Sequence, residues 1–229
     1  MEKAVDNYRC ERKFFISDLT KHEVESCVKV HPAIFKEIYC QRYVNNIYFD
    51  TFNLNNYFDN VVGAYDRIKF RIRWYGELWG VIKQPVLELK IKKGLLGKKE
   101  AFPLDSFVLD RDFTIRNLIH VIDNSAISEI LKLDIKSLSL TLLNRYSRKY
   151  FESADKHYRI TIDNDLLYYQ INHHHNNFLD KIVDISNVIL ELKYDHKKDE
   201  NAHYITNEFP FRLTKSSKYV MGLNKVYYY

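Results

Sequence analysis

Tyr65-Asp66-Arg67-Ile68-Lys69-Phe70-Arg71-Ile72-Arg73-Trp74-Tyr75-Gly76 is the stretch whose reading decides the fold. Successive side chains of a strand point to opposite faces. Arg67, Lys69, Arg71 and Arg73 therefore share one face, and Ile68, Phe70, Ile72 and Trp74 the other. A surface strand with its cations in water would read the same way, so this segment alone leaves two readings open. Recurrence of the pattern elsewhere separates them.

Upstream, residues 8–16 read as a strand with Arg9, Glu11 and Lys13 on one face and Cys10, Phe14 and Ile16 largely on the other. A second strand follows at 43–49, and Gly76 to Gly80 reads as the hairpin turn of the central strand. Downstream, 86–92 sets Glu88, Lys90 and Lys92 against Leu87, Leu89 and Ile91. Residues 139–151 place Asn144, Tyr146, Arg148 and Tyr150 together, and 158–163 do the same for Arg159, Thr161 and Asp163. Residues 188–194 oppose Glu191 and Lys193 to Leu190, Leu192 and Tyr194. The helical period appears in fewer places. Thr20-Lys21-His22-Glu23 is a capping box that predicts a helix from about Lys21, ending before Pro32. Ile115, Leu118, Ile119 and Ile122 fall at i, i+3, i+4 and i+7, and Ser125 caps a second short helix with Ile127, Ile130 and Leu131. These two form a helical insertion at about 105–136. Thr214 to Tyr219 reads as a turn into a last short helix.

With 229 residues, 46% hydrophobic and 28% charged, the chain is expected to form one domain over 1–229. The net charge of +5 implies little until its distribution is known. Three cysteines, Cys10, Cys27 and Cys40, lack paired or metal-type spacing, which suits a reducing compartment. The start Met1-Glu2-Lys3-Ala4-Val5-Asp6 has no apolar signal core, and no run approaches the ~18 apolar residues of a membrane span. A cytoplasmic protein without a membrane span is expected.

A solvent-facing antiparallel face usually mixes Ser, Thr and Gln with its charges; repeated Glu-x-Lys and Arg-x-Arg does not fit that habit. The pattern predicts an α+β fold, mainly antiparallel β, in which a closed eight-stranded barrel turns its charged faces inward and carries peripheral helices. A barrel of about eight strands has room inside for side chains or one ligand. Packed cations repel one another without a counter-ion, so the expected guest is a chain of phosphates held by Arg forks and Lys point charges. Inward carboxylates then serve as oxygen ligands for a divalent ion.

Glu11-Arg12-Lys13, Asn46-Ile47-Tyr48-Phe49-Asp50-Thr51, Lys69 to Gly76, Glu88-Leu89-Lys90, Arg145-Tyr146-Ser147-Arg148, Arg159-Ile160-Thr161-Ile162-Asp163, Leu190-Glu191-Leu192-Lys193-Tyr194 and Ser217-Lys218-Tyr219 occur in that order. Together they resemble the motifs of the VTC domain, the polyphosphate polymerase domain of the vacuolar transporter chaperone complex and a branch of the CYTH-like triphosphate tunnel metalloenzymes. The resemblance implies a tunnel, a divalent metal (Mn2+ or Mg2+), ATP and inorganic polyphosphate as ligands, and γ-phosphoryl transfer onto the polymer. It further implies catalytic roles for Arg71, Arg73, Arg148, Arg159 and Lys218, and substrate binding by Lys13, Lys69, Lys90, Tyr146, Lys193, Lys215 and Ser217. Glu191 falls on the metal position, with Glu11 and Glu88 as auxiliary candidates or, for Glu88 above all, as neutralisers of neighbouring cations. Hydrolytic tunnel enzymes commonly begin Glu-x-Glu-x-Lys, whereas this chain has Arg9-Cys10-Glu11-Arg12-Lys13, which disfavours two-metal hydrolysis. A metal-dependent (tri)polyphosphatase or nucleoside triphosphatase and a non-catalytic polyphosphate sensor are the alternatives. Nucleic acid is not an expected partner; a membrane partner protein is compatible with the family. His173-His174-His175 with Asn176-Asn177 is expected to be a polar loop, because adjacent residues rarely face one ion. Lys92-Lys93-Gly94 with Lys98-Lys99 reads either as a tunnel-mouth patch or as a charged hairpin.

Overall fold

Alternating strands dominate the computed structural model, which describes residues 9–94, 96–174, 176 and 178–227. In chain order the elements are β1 (Arg9–Ile16), α1 (Lys21–Lys29), β2 (Lys36–Asp50), α2 (Asn55–Val62), β3 (Asp66–Tyr75), β4 (Gly80–Ile82), β5 (Val86–Lys93) and β6 (Leu96–Pro103). There follow β7 (Phe107–Leu109), α3 (Ile115–Asn124), α4 (Glu129–Lys136), β8 (Ser139–Glu152), β9 (Tyr158–Tyr169), β10 (Lys181–Asp184), β11 (Val188–Asp195), α5 (Ala202–Thr206) and α6 (Lys218–Tyr227). Tyr8, His175 and Asn177, which the sequence reading included, lie outside the described residues.

Eight strands run in the order β1-β11-β9-β8-β2-β3-β5-β6, with β10 added on β9 and a separate β4–β7 ribbon. Every pairing is antiparallel. The expected closure of the barrel is corrected here: among the described residues no ladder joins β1 to β6. Both edge strands carry long charged side chains, Arg9, Glu11 and Lys13 on β1 and Lys98, Lys99 and Glu100 on β6, a common way of blunting a sheet edge. Side chains cross the seam instead. Lys90 of β5 donates to both carboxylate oxygens of Glu11 at 2.9 and 2.7 Å.

The turn expected at Gly76 to Gly80 is also corrected. Gly80 opens β4, which pairs with β7, while β3 pairs with β2 and β5. Leu78 is buried and the Trp74 indole N–H donates to the Glu77 carbonyl at 2.9 Å, so this segment is anchored in the core and the chain returns to β3 only at Val86, opposite Arg73.

The apolar faces point outward, and helices cover them. Phe70, Ile72 and Trp74 of β3 pack with Leu87 and Leu89 of β5 under Leu118, Val121 and Ile122 of α3 and Leu131 and Ile135 of α4. Phe14 and Ile16, Ile160 and Ile162, and Leu190 and Leu192 pack under Val24 and Val28 of α1 and Ala202 and Ile205 of α5. The capping box of α1 is present: the Glu23 carboxylate accepts from the Thr20 N–H at 2.7 Å, and Thr20 Oγ1 accepts from the Glu23 N–H at 3.4 Å. A third cluster sets Tyr219 and Leu223 of α6 against Val44, Tyr48, Leu142, Tyr146 and Tyr168. A methyl group at Gly222 would run into Leu142 and Tyr168, so glycine lets α6 lie directly on β8 and β9.

Candidate phosphate-binding cavity

The charged faces left by this arrangement line a cavity of about 430 Å3. β1 supplies Arg9, Glu11 and Lys13, β3 supplies Lys69, Arg71 and Arg73, and β5 supplies Lys90 and Lys92. β6 adds Lys98 and Lys99, β8 Tyr146 and Arg148, β11 Glu191 and Lys193, and the start of α6 Ser217 and Lys218. Twelve of the lining residues are Lys or Arg, against two carboxylates, Glu11 and Glu191.

Four carboxylates in all hold this charge together. Glu88 accepts from Arg71 at 2.6 and 2.9 Å and from Lys99 at 3.0 Å, with Arg73 at 3.5 Å. Asp163 takes both arms of Arg148, at 2.5 and 2.6 Å, and Lys218 at 2.5 Å. Glu11 binds Lys90, as described. Glu191 lies 3.1 Å from Lys13, 3.1 Å from Lys193, 3.6 Å from Lys218 and 3.8 Å from Arg148. Arg73 rests on neutral acceptors as well, Asn46 Oδ1 at 2.9 Å and the Tyr146 hydroxyl at 3.1 Å.

Cation excess shows in the protonation equilibria. Burial, joined by the charges of Lys13, Lys90, Arg71 and Arg67, pushes the Lys69 ammonium well below the usual lysine range. Its side chain donates to Ser217 Oγ at 2.7 Å. Burial likewise lowers Lys90 to about 8, more than Glu11 restores. Glu11 would be raised by burial, but Lys90 and Lys13 hold it down at about 2. Glu191 is kept well below the carboxylate range in spite of its burial, by Lys13, Lys193, Lys218 and Arg148. Burial would raise the Tyr146 hydroxyl, yet Arg148, Arg73 and Lys218 lower it.

Helix α6 adds a further anion-binding element. Ser217 Oγ accepts from the Val220 N–H at 3.4 Å, so Ser217 caps a helix whose N-terminus meets the cavity at Ser217 and Lys218. Unpaired N–H groups and the positive end of the helix dipole favour phosphate there.

Arg71, Arg73, Arg148, Lys218, Lys13, Lys69, Lys90, Tyr146, Lys193, Ser217, Glu191 and Glu11 all reach the cavity lining. Arg159 does not. It occupies the final Glu152–Arg159 pair of the β8–β9 ladder, and its Nε donates to Glu152 at 2.8 Å, which leaves it largely in solvent. Lys215 is exposed and lines a neighbouring chamber instead. Glu88 is 5% exposed and outside the lining, packed among the cations it neutralises. Arg9, Tyr48, Tyr219 and the buried Asp163 belong to the site but were not named as site residues in the sequence; Lys92, Lys98 and Lys99, read there either as a tunnel-mouth patch or as a charged hairpin, also line the cavity. Arg9 was legible, standing two residues before Glu11 on the same face; Asp163 was placed on the charged face of its strand, but its pairing was not legible, because its partners come from β8 and α6.

Among the described residues no three His, Cys, Asp or Glu side chains converge as a metal site. Of the histidine run, His173 and His174 meet edge to face with ring centroids 6.2 Å apart, while Asn176 anchors the loop by donating to the Phe113 carbonyl at 2.9 Å. The cavity's oxygen donors fit a different kind of ion. Mg2+ is commonly bound through one or two carboxylates with substrate phosphates and water completing its shell, and Glu191, inside the cavity, is a carboxylate of that kind.

The antiparallel architecture is similar to that of several solved structures. A putative adenylyl cyclase from Hippeastrum, described as having a dominant triphosphatase activity, matches with a TM-score of 0.55 at 11% identity over 96% of each chain. A protein of Pyrococcus horikoshii OT3 matches with a TM-score of 0.53 at 12% identity, covering 95% of this chain and 99% of that one. A putative adenylate cyclase from Vibrio parahaemolyticus matches at 0.52 and 9% identity, over 93% and 95% of the two chains. At this identity the likeness concerns the fold. The chain belongs to the VTC domain family, whose model matches residues 8–227. No curated protein matches it in sequence.

Proposed function

We propose that the protein is a metal-dependent polyphosphate polymerase that transfers the γ-phosphoryl group of ATP to the end of an inorganic polyphosphate chain and releases ADP. The observation that carries this reading is the cavity lining, twelve cations against two carboxylates, met by a helix N-terminus. Family membership supports it.

Phosphoryl transfer asks the protein mainly for positioning and charge stabilisation. Arg71, Arg73, Arg148 and Lys218 clamp the reacting phosphates. Lys13, Lys69, Lys90 and Lys193 complete the field, and Tyr146 and Ser217 donate hydrogen bonds. A terminal oxygen of the polymer attacks the γ-phosphorus as the bond to the β,γ-bridging oxygen breaks, and the electron pair leaves on ADP. The attacking oxygen is already ionised, so no general base is needed. Glu191 would hold a divalent ion, Mn2+ or Mg2+, which would supply further charge neutralisation when bound. Glu11 and Glu88 act as counter-charges to Lys90 and Arg71.

The experiment is incubation of the purified protein with ATP and manganese, with products resolved by gel electrophoresis and phosphorus NMR. A polymer with ADP is expected. Orthophosphate without polymer would replace transfer by hydrolysis, and binding without turnover would make the protein a polyphosphate sensor.

A further inference from the structure

Past Arg73 and Arg148 the charged faces of β3 and β8 continue to Tyr75 and Tyr150, which lie outside the lining of the cationic cavity. Between them stands Arg42 of β2. Its guanidinium lies over three rings, 4.6 Å from the centroid of Tyr75, 4.7 Å from that of Tyr150 and 5.1 Å from that of Tyr39. The Tyr150 ring also touches the cavity side, with the Arg148 guanidinium 5.8 Å from its centroid. Strict alternation would send Tyr39 and Arg42 to opposite faces of β2. A bulge brings them together: the ladder advances from Tyr39 to Arg42 on β2 while it moves only from Tyr150 to Arg148 on β8. Bulges of this kind re-aim side chains beside binding sites.

Arg71, Arg73 and Arg148 each lie beside a carboxylate. Arg42 forms no ion pair among the described residues, and its Nε–H is buried without an acceptor. Ring faces attract a guanidinium and fix its plane without using the N–H donors along its edge. Tyr39 and Tyr75 are 56% and 51% exposed, so the collar opens to solvent. A cation held in this way keeps its planar fork for an anion. It stands apart from the transfer site, because Arg42 is roughly 13 Å of strand away from Asn46, whose side-chain oxygen holds Arg73. We infer that Arg42, in its collar of Tyr39, Tyr75 and Tyr150, is a phosphate-binding subsite at this mouth of the cavity and takes a phosphate of the polymer that lies outside the clamp of Arg71, Arg73 and Arg148. This assignment rests on the reading of the cavity as a phosphate site. It makes affinity depend on chain length: tripolyphosphate fills the clamp and stops short of Arg42, whereas a longer chain engages both.

The test is calorimetry without metal on the full chain, with tripolyphosphate and long-chain polyphosphate as separate ligands, for the unaltered protein, Arg42→Met and Arg42→Gln. Methionine keeps an unbranched, polarisable side chain among the rings, and glutamine keeps a planar donor group without the charge. Each variant is expected to weaken long-chain polyphosphate by about tenfold, the worth of a charge-assisted hydrogen bond, while moving tripolyphosphate by less than about twofold. Retained tripolyphosphate binding also reports that the variant is folded. Both ligands weakening in parallel would make Arg42 a support for Arg148, and long-chain affinity left unchanged in both variants would make the collar a purely structural stack; either result overturns the subsite and leaves the phosphate cavity standing. If the unaltered protein binds neither ligand, the cavity reading fails and this inference falls with it.

Discussion

Glu88 on β5 and Glu191 on β11 are both carboxylates ringed by cations, yet they are held in different ways. Glu88 is gripped at 2.6 to 3.0 Å by Arg71 and Lys99 and sits outside the cavity lining. Glu191 lines the cavity, and its four cations lie between 3.1 and 3.8 Å away. A close fork commits a carboxylate to its partner. Several looser contacts leave one able to exchange a lysine for a metal ion when phosphates arrive to take the lysine. On the proposed reading, Glu88 belongs to the wall and Glu191 to the chemistry.

The largest expected effect tests the wall itself. Ile72 is fully buried in the outer core, whereas Arg73 lines the cavity one residue along. Ile72→Asp places an unpaired charge in the packing layer and is expected to cost several kcal/mol or abolish folding. Arg73→Ala should keep the circular dichroism spectrum and melting behaviour while abolishing turnover. An Arg73→Ala protein that unfolds, or that keeps full activity, breaks the division into packing and ligand faces.

Glu88→Gln comes next. Removing one member of a buried pair leaves Arg71 and Lys99 without a counter-charge, and the expected loss in urea unfolding is roughly 3 kcal/mol, at the low end for such changes because the cavity is open to solvent. Polyphosphate added in excess should restore much of that stability, since it supplies the missing negative charge. A Glu88→Gln protein as stable as the parent would put Glu88 on the same footing as Glu191.

Smaller, but informative in sign, is the pH dependence of binding. Lys90 has a pKa of about 8 in the free protein and Lys69 lies well below the usual range; a bound polyanion raises both. Above pH 8, binding must therefore take up protons, and affinity should fall as pH rises toward the bound-state pKa of Lys90, by up to about tenfold per pH unit for each proton taken up. Calorimetry of tripolyphosphate binding at pH 8.5 in two buffers of different ionisation enthalpy measures the uptake. No proton uptake, together with an affinity flat from pH 7 to 9.5, would show that the lysines do not face the ligand.

How much of this was legible in the sequence varies with how local its cause is. The inverted polarity of β3 was visible because both of its faces are written in ten consecutive residues. Alternation tells which face a residue is on and not how far along the interior it lies, which is why Arg159 shares a face with Asp163 yet ends in solvent beside Glu152. Closure of the circuit depends on two edges, β1 and β6, that are far apart in the chain, and no local pattern reports their register. Helix α2 escaped notice for a related reason. Its first N–H groups are capped from the end of β2 and not by the residue at the N-cap: Leu54 starts the helix with φ of 55°, Thr51 Oγ1 accepts from the Asn55 N–H at 2.9 Å, and Asp50 accepts from the Asn56 and Tyr57 N–H groups at 2.8 Å. Without α2 in view, the neighbouring chamber that it helps to line could not be foreseen.

The central claim is that Glu191 serves a metal and not merely its lysines. Glu191→Gln keeps the shape and removes the charge a divalent ion needs. The measurement is a pair: polyphosphate affinity by calorimetry without metal, and polymer yield from ATP with manganese. Affinity should hold or rise, because one negative charge has left a cationic cavity, while synthesis falls by orders of magnitude. Loss of both together would contradict the account by making Glu191 a structural partner of Lys13, Lys193 and Lys218, and loss of neither would remove its metal role.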